Sequence, residues 1–224
     1  MPTEITVRGT FSAFQPPERG TVRASISYEG ADMATVYDRV AHDLAAVKAS
    51  VTRLQALDPA PVTWWSAAQL RTWSQRPWHK DGKQLPMVHH AGVDVDVKFR
   101  DFAALSQWVG EHIAGTGGFR VAQVIWALTA ARRDAVFADA RTRAVRDAVT
   151  RAQQYADALE LGTVRPVAVA DAGMLAAQLH PEGGHSGTFL RAAASPAGGG
   201  DIELLPEDIE VSATVDARFL AEEP

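Results

Sequence analysis

Seven histidines, 27 acidic and 22 basic residues, and no cysteine make up the reactive inventory of this 224-residue chain. Without cysteine there is no disulfide scaffold, no thiolate zinc ligation and no thiol nucleophile. The nearest approach to a reactive constellation is the run from His180 to Ser186. His180, Glu182 and His185 would bring two imidazoles and a carboxylate together if the loop curled, a ligand set that suits zinc. Gly184-His185-Ser186-Gly187 places a serine among glycines, but a nucleophile elbow needs Gly-x-Ser-x-Gly on a strand-to-helix turn. Here the spacing fails and no strand leads in, so the run reads as a glycine-rich loop. His89 and His90 are neighbours on an alternating segment and project to opposite faces, where they cannot readily share one ion. Gly115-Thr116-Gly117-Gly118 follows a helical segment and precedes a strand, the reverse of a phosphate loop, whose glycines lead into a helix N-terminus. It reads as a helix stop. These patterns assign no catalytic, cofactor-binding or metal-binding residue.

The tryptophans carry more information. Four of the six, Trp64, Trp65, Trp73 and Trp78, lie within 15 residues of one another. Trp64 and Trp65 are adjacent on a strand-like stretch and must point to opposite faces, so with helices on one face at least one indole is left on the other. An indole can bury roughly 150–250 Å², and an exposed aromatic group of that size usually has a partner. Two readings lead, a core filled on both faces or a subunit interface at Trp64, Trp65, Trp73 and Trp78, ahead of a stacking platform for a flat ligand and a membrane-interface belt.

The elements that would position these residues follow from periodicity. Residues 5–11 and 22–28 alternate apolar and polar, as strands do, with Pro16-Pro17-Glu18-Arg19-Gly20 between them, and the pair reads as a β-hairpin. Met33, Tyr37, Val40, Leu44, Val47, Val51 and Leu54 fall on one stripe of a helix over about 32–56. That stripe packs on a sheet or, with its heptad-like spacing, on another chain. Residues 89–99 resume alternation. A short helix over 102–114 presents Phe102, Leu105, Val109 and Ile113, and the strand over 119–128, apolar on both faces near Val124-Ile125-Trp126, is expected in a central position. A long helix over 131–161 presents Phe137, Ala140, Ala144, Ala148, Ala152, Tyr155 and Leu159 inward, with alanines that permit close packing. Val164, Val167 and Val169 read as a strand in which Pro166 argues for an edge or an entry position, residues 172–205 are rich in Gly, Pro and Ala and read as flexible, and a last strand alternates over 209–219. The arginines of the long helix, Arg132, Arg133, Arg141, Arg143, Arg146 and Arg151, are interspersed with Asp134, Asp139, Asp147 and Asp157, unlike the unopposed charge of a nucleic-acid binder. No nucleic-acid partner is expected.

The expected architecture is α+β: largely antiparallel sheet with long helices packed on one face, as one domain or two intimate subdomains over residues 1–224. No run of about 18 apolar residues is present to span a membrane. The N-terminus has no secretory signal pattern, from which a cytoplasmic location is expected. Eight of the 27 acids but one of the 22 bases fall in residues 201–224, so the mild acidity of the chain belongs to its last strand and flanks.

Several segments together resemble the SIMPL family. They are Ile5-Thr6-Val7-Arg8-Gly9 followed by Pro17-Glu18-Arg19-Gly20-Thr21-Val22, Val93-Asp94-Val95-Asp96-Val97 running into Phe99-Arg100-Asp101, and Gly117-Gly118-Phe119-Arg120-Val121. The alanine-rich helix ending Ala156-Asp157-Ala158-Leu159-Glu160-Leu161-Gly162 and the closing Leu205-Pro206-Glu207-Asp208-Ile209-Glu210-Val211 complete the likeness. Family members include bacterial periplasmic and outer-membrane-associated immunogenic proteins and a mammalian signalling adaptor. The resemblance implies N- and C-terminal strands in one sheet, no enzyme activity, no cofactor and, for some bacterial members, ring- or channel-like oligomers. The expectation is a non-enzymatic, self-associating scaffold or interaction protein, a homo-oligomer. The alternative is a small-ligand binder or a hydrolase using the His180–Ser186 loop beside the tryptophan-rich strand.

Overall fold

The computed structural model describes residues 2–80, 83–175 and 204–223, and these form three helices and eight strands. The strands lie in two antiparallel sheets, and the chain divides into two compact units.

One unit draws on residues within 1–16, 128–191 and 208–224. It holds β1 (Thr3–Gln15), α3 (Ala130–Ala158), β7 (Arg165–Asp171) and β8 (Ile209–Ala221). The sheet order is β1-β8-β7, so the N- and C-terminal strands share a sheet, as the resemblance implied. β1 and β8 pair without interruption from Thr3 opposite Ala221 to Gln15 opposite Ile209. Ile5, Val7, Val215, Ala217 and Phe219 turn inward onto Ala144, Ala148, Ala152 and Ala156 of α3. With methyl groups alone on that ridge, helix and strand come close enough that a Cβ at Gly9 would run into the Ala144 carbonyl oxygen and lie 2.7 Å from the Ala148 nitrogen.

The inward row of α3 is Ala140, Ala144, Ala148, Ala152 and Ala156, a strict four-residue ridge. Tyr155 and Leu159, expected inward, are exposed. Tyr155 lies one position off this ridge, and Leu159 lies past the last helical residue, Ala158, as the C-cap.

The other unit, from residues within 17–127 and 192–207, holds β2 (Arg19–Gly30), α1 (Met33–Gln55), β3 (Val62–Ala67), β4 (Arg71–Gln75), β5 (Val88–Phe99), α2 (Phe102–Gly115) and β6 (Phe119–Ala127). The sheet order is β3-β5-β2-β6, and β4 also pairs with β5. Val22, Ala24 and Ile26 of β2 with Ala91, Val93, Val95, Val97 and Phe99 of β5 make the dry face. Val36, Val40, Val47 and Val51 of α1 and Leu105, Trp108 and Val109 of α2 pack with them in one core. The α1 stripe thus faces this core, with Val36 buried where Tyr37 was expected and Tyr37 exposed. In α2, Trp108 and His112 are buried and Ile113 is exposed. Asp32 and Asp101 cap the two helices by accepting from the backbone N–H of Thr35 (2.8 Å) and Ala104 (3.0 Å).

Two expectations about pairing are corrected. β1 and β2 form no hairpin: β1 pairs with β8, whereas β2 pairs with β5 and β6. Alternation reports which face of a strand is dry, and the main-chain ladder that selects a neighbour carries no sequence label. β6 is an edge strand rather than a central one; Trp126 finds cover edge-on against Phe102 at 5.0 Å. The Gly115–Gly118 stretch does end α2, and Gly118 is needed there because a Cβ would press on the Tyr28 ring at 2.8 Å.

Candidate functional site

β3 and β4 run one after the other along the same side of β5, β3 against residues 95–99 and β4 against residues 88–92, as one broken edge strand. At the break the Ala68 N–H donates to the Asp94 carbonyl (2.8 Å). Residues 90, 92, 94, 96 and 98 alternate with the buried Ala91, Val93, Val95, Val97 and Phe99, so they define the open face of the sheet. Trp64 lies opposite Lys98 and Trp73 opposite His90, which puts both indoles on that face. They are 45% and 47% exposed. Trp65, opposite Val97, turns to the other face and packs against the core. Trp78 lies beyond β4 and is 84% exposed. Trp64 and Trp73 are eight residues apart measured along β5, about 27 Å at 3.4 Å per residue, so they form two separate aromatic positions.

Each indole has one face covered from β5. The Trp73 and His90 rings stack at 5.1 Å with planes 5° apart, close to the spacing of neighbouring strands. The stack therefore runs across the sheet, and the free face of Trp73 looks off the edge. Lys98 Nζ sits over the Trp64 ring at 5.4 Å. Between the two positions the face is polar and balanced in charge: Arg71 binds Asp94 (2.9 Å), Arg23 lies 3.9 Å from Asp96, and Glu29 lies 3.5 Å from His90.

A buried polar cluster joins α1 and α2, and its members escaped the sequence reading. Trp108 Nε1–H donates to Ser50 Oγ (2.9 Å), the Ser50 hydroxyl donates to the Val47 carbonyl (2.7 Å), and His112 Nε2 lies 2.8 Å from Ser50 Oγ. His112 Nδ1 is 3.3 Å from Thr116 Oγ1. With the Ser50 proton on the Val47 carbonyl, the Nε2–H tautomer of His112 fills the remaining Ser50 lone pair; with the Nδ1–H tautomer, Nε2 accepts from Ser50 and Nδ1 donates to Thr116. The Ser50–His112 spacing resembles a serine–histidine dyad; the bonds of Ser50 to Trp108 and His112 join the two helices, whereas Ser50–Val47 lies within α1 and His112–Thr116 closes the end of α2. Burial pushes His112 below its ordinary value, with Glu111 opposing and Arg53 reinforcing that shift. A shallow cavity of about 230 Å³ lies beside the cluster, lined by Leu54, Leu57, Ala104 and Trp108, with Arg53, Gln107 and Glu111 among the other lining residues.

In the unit built on α3, Asp216 is buried, although the alternation of β8 placed it in water. It accepts from Arg8 Nε (2.8 Å) and from the Gly173 N–H (2.7 Å). The Arg8 hydrogen bond holds its carboxyl below the usual range against the opposing effect of burial, with the Gly173 N–H adding to the lowering.

His89 and His90 point to opposite faces: His90 stacks on Trp73, and His89 Nδ1 is 2.7 Å from Ser74 Oγ. His180, Glu182, His185 and Ser186 lie outside the described residues. Among the described residues no three His, Asp or Glu side chains converge as metal ligands, and no helix is long and apolar enough to cross a membrane.

Compared with known families, residues 5–219 match the model of SIMPL, described as a protein of unknown function (DUF541). The chain belongs to the SIMPL family. The match takes in nearly the whole sequence, from β1 to β8. No curated protein matches this SIMPL chain.

Proposed function

We propose that this SIMPL protein is a non-enzymatic, self-associating interaction protein. The observation that carries the reading is the pair of half-exposed tryptophans on a free sheet edge, each with one ring face covered from β5. The balance of charge around them supports it: Arg23, Arg71 and Lys98 are matched by Glu29, Asp94 and Asp96 on the same face. Such a face suits neither a polyanion nor a polycation, whereas mixed charge lets a surface complement a copy of itself. The burial of Ser50 and His112 in the packing of α1 against α2 supports the non-enzymatic part.

About 100 Å² of each indole is still open to burial, so four indoles across a two-fold interface would contribute about 10 kcal/mol at 25 cal/mol per Å². Association costs about 4–15 kcal/mol, so the expected affinity is modest. At the low end of that cost, about 4 kcal/mol, the net is about 6 kcal/mol, a Kd of about 40 μM, so sedimentation velocity of the full chain should show a dimer or larger species at about 40–200 μM. A monomer throughout that range would refute the reading.

A further inference from the structure

The tryptophan positions are symmetric about one residue of β5. Trp64 stands opposite Lys98 and Trp73 opposite His90, each four residues from Asp94. Ser66 stands opposite Asp96 and Arg71 opposite Gly92, each two residues from it. The break at Ala68 falls beside Asp94 itself, where the Ala68 N–H reaches the Asp94 carbonyl (2.8 Å). An edge with this spacing maps onto itself when turned end for end. A two-fold axis beside Asp94, running perpendicular to the sheet, would set two such edges antiparallel with Trp64 of one copy opposite Trp73 of the other and Ser66 opposite Arg71. Opposed residues in an antiparallel pair point to the same face, and all four of these are on the open face, so the register is allowed.

We infer that the broken edge strand β3–β4 pairs antiparallel with the same edge of a second copy, joining two five-stranded sheets into one. The inference rests on the self-association proposed above and names its surface. Each Trp73 is sandwiched between His90 of its own sheet and Trp64 of the other copy, in line with the direction of the existing stack. The edge is short and is bulged near Trp64, but it lacks the charged and proline devices that keep exposed strands apart: from Val62 to Gln75 there is no proline, lysine, aspartate or glutamate, and Arg71 is the lone charge. In the other sheet both edges are guarded. On β7 Pro166 interrupts the ladder, and on β1 the Thr10 N–H is held by Asp147 at 2.9 Å.

Because the natural chain has no cysteine, cross-linking reads the register directly. Ser66→Cys and Arg71→Cys variants are made separately, mixed in equal amounts and oxidised. The inferred pairing places one against the other across the two-fold, while like positions stand about 13 Å apart, too far for a disulfide. The expected result is a cross-linked dimer from the mixture and little from either variant alone. In sedimentation, Trp64→Ser and Trp73→Ser, both surface changes, should each weaken the dimer at least tenfold. A wild-type dimer that survives both serine variants and gives no selective cross-link overturns the edge pairing while self-association stands. A wild-type monomer overturns both.

Discussion

Replacing Gly9 by alanine tests the account of how β1 lies on α3. The added methyl would overlap the Ala144 carbonyl oxygen and approach the Ala148 nitrogen to 2.7 Å and the Ala148 Cβ to 2.8 Å. Two of the three obstacles are helix main chain, which cannot rotate aside as a side chain would. Relief requires strand and helix to separate by about 1 Å, and the contacts that loosen are those of five alanines exposed by no more than 1%. Overpacking of a close-packed core costs about 1–3 kcal/mol, and an immovable backbone puts this site at the upper end. A Gly→Ala gain of about 0.4–1 kcal/mol from the unfolded chain leaves a net loss of about 2 kcal/mol. Urea unfolding followed by far-UV circular dichroism measures it, since α3 is the longest helix at 29 residues. All six tryptophans belong to the other unit, so fluorescence separately follows that unit. Adding Ala148→Gly removes one obstacle, the Cβ, and should recover little, because the Ala144 carbonyl still blocks the methyl. A midpoint for Gly9→Ala equivalent to a loss below about 0.5 kcal/mol, or full recovery in the double variant, would show that the strand does not bear on helix backbone.

Two further outcomes follow from the buried ionisable groups. Asp216 titrates below its usual range when folded, chiefly through Arg8. Its stabilisation is therefore complete above the unfolded value of about 3.9 and is lost as pH falls through the lower folded value. Asp216→Asn should cost about 1.5–3 kcal/mol at neutral pH and flatten the acid limb of a stability–pH curve; an unchanged limb would contradict the role given to Arg8. His112 is shifted down by burial, so below about pH 6.5 the unfolded chain binds more protons than the folded one, and stability falls with acid until the folded value is reached. In His112→Gln, whose amide can still donate to Ser50, that slope just below about pH 6.5 should vanish; its persistence would assign the slope to another group.

Much of the fold could be read from local pattern. The helix over 33–55 starts at an aspartate that caps it, the strand over 88–99 shows its dry valines in alternation, and the closing strand over 209–221 does the same. Trp64 and Trp65 had to face opposite ways because strands alternate, and they do. Ser50 left a faint signal, a polar residue on the apolar stripe between Val47 and Val51, but nothing local ties it to His112, 62 residues away. Asp216 reads as solvated from alternation alone, since its partners Arg8 and Gly173 come from distant segments.

By itself the sequence determined where the helices and strands lie, the dry face of the regular strands such as β5, and that no thiol chemistry is available, because these depend on periods of a few residues and on composition. Tertiary structure decided which strands are neighbours, that β3 and β4 form one broken edge with Trp64 and Trp73 set symmetrically about Asp94, and that the alanine ridge of α3 meets Gly9. Those outcomes turn on main-chain hydrogen bonding and on the packing of one surface against another, which are shared by all residue types and leave no mark on any single stretch of chain.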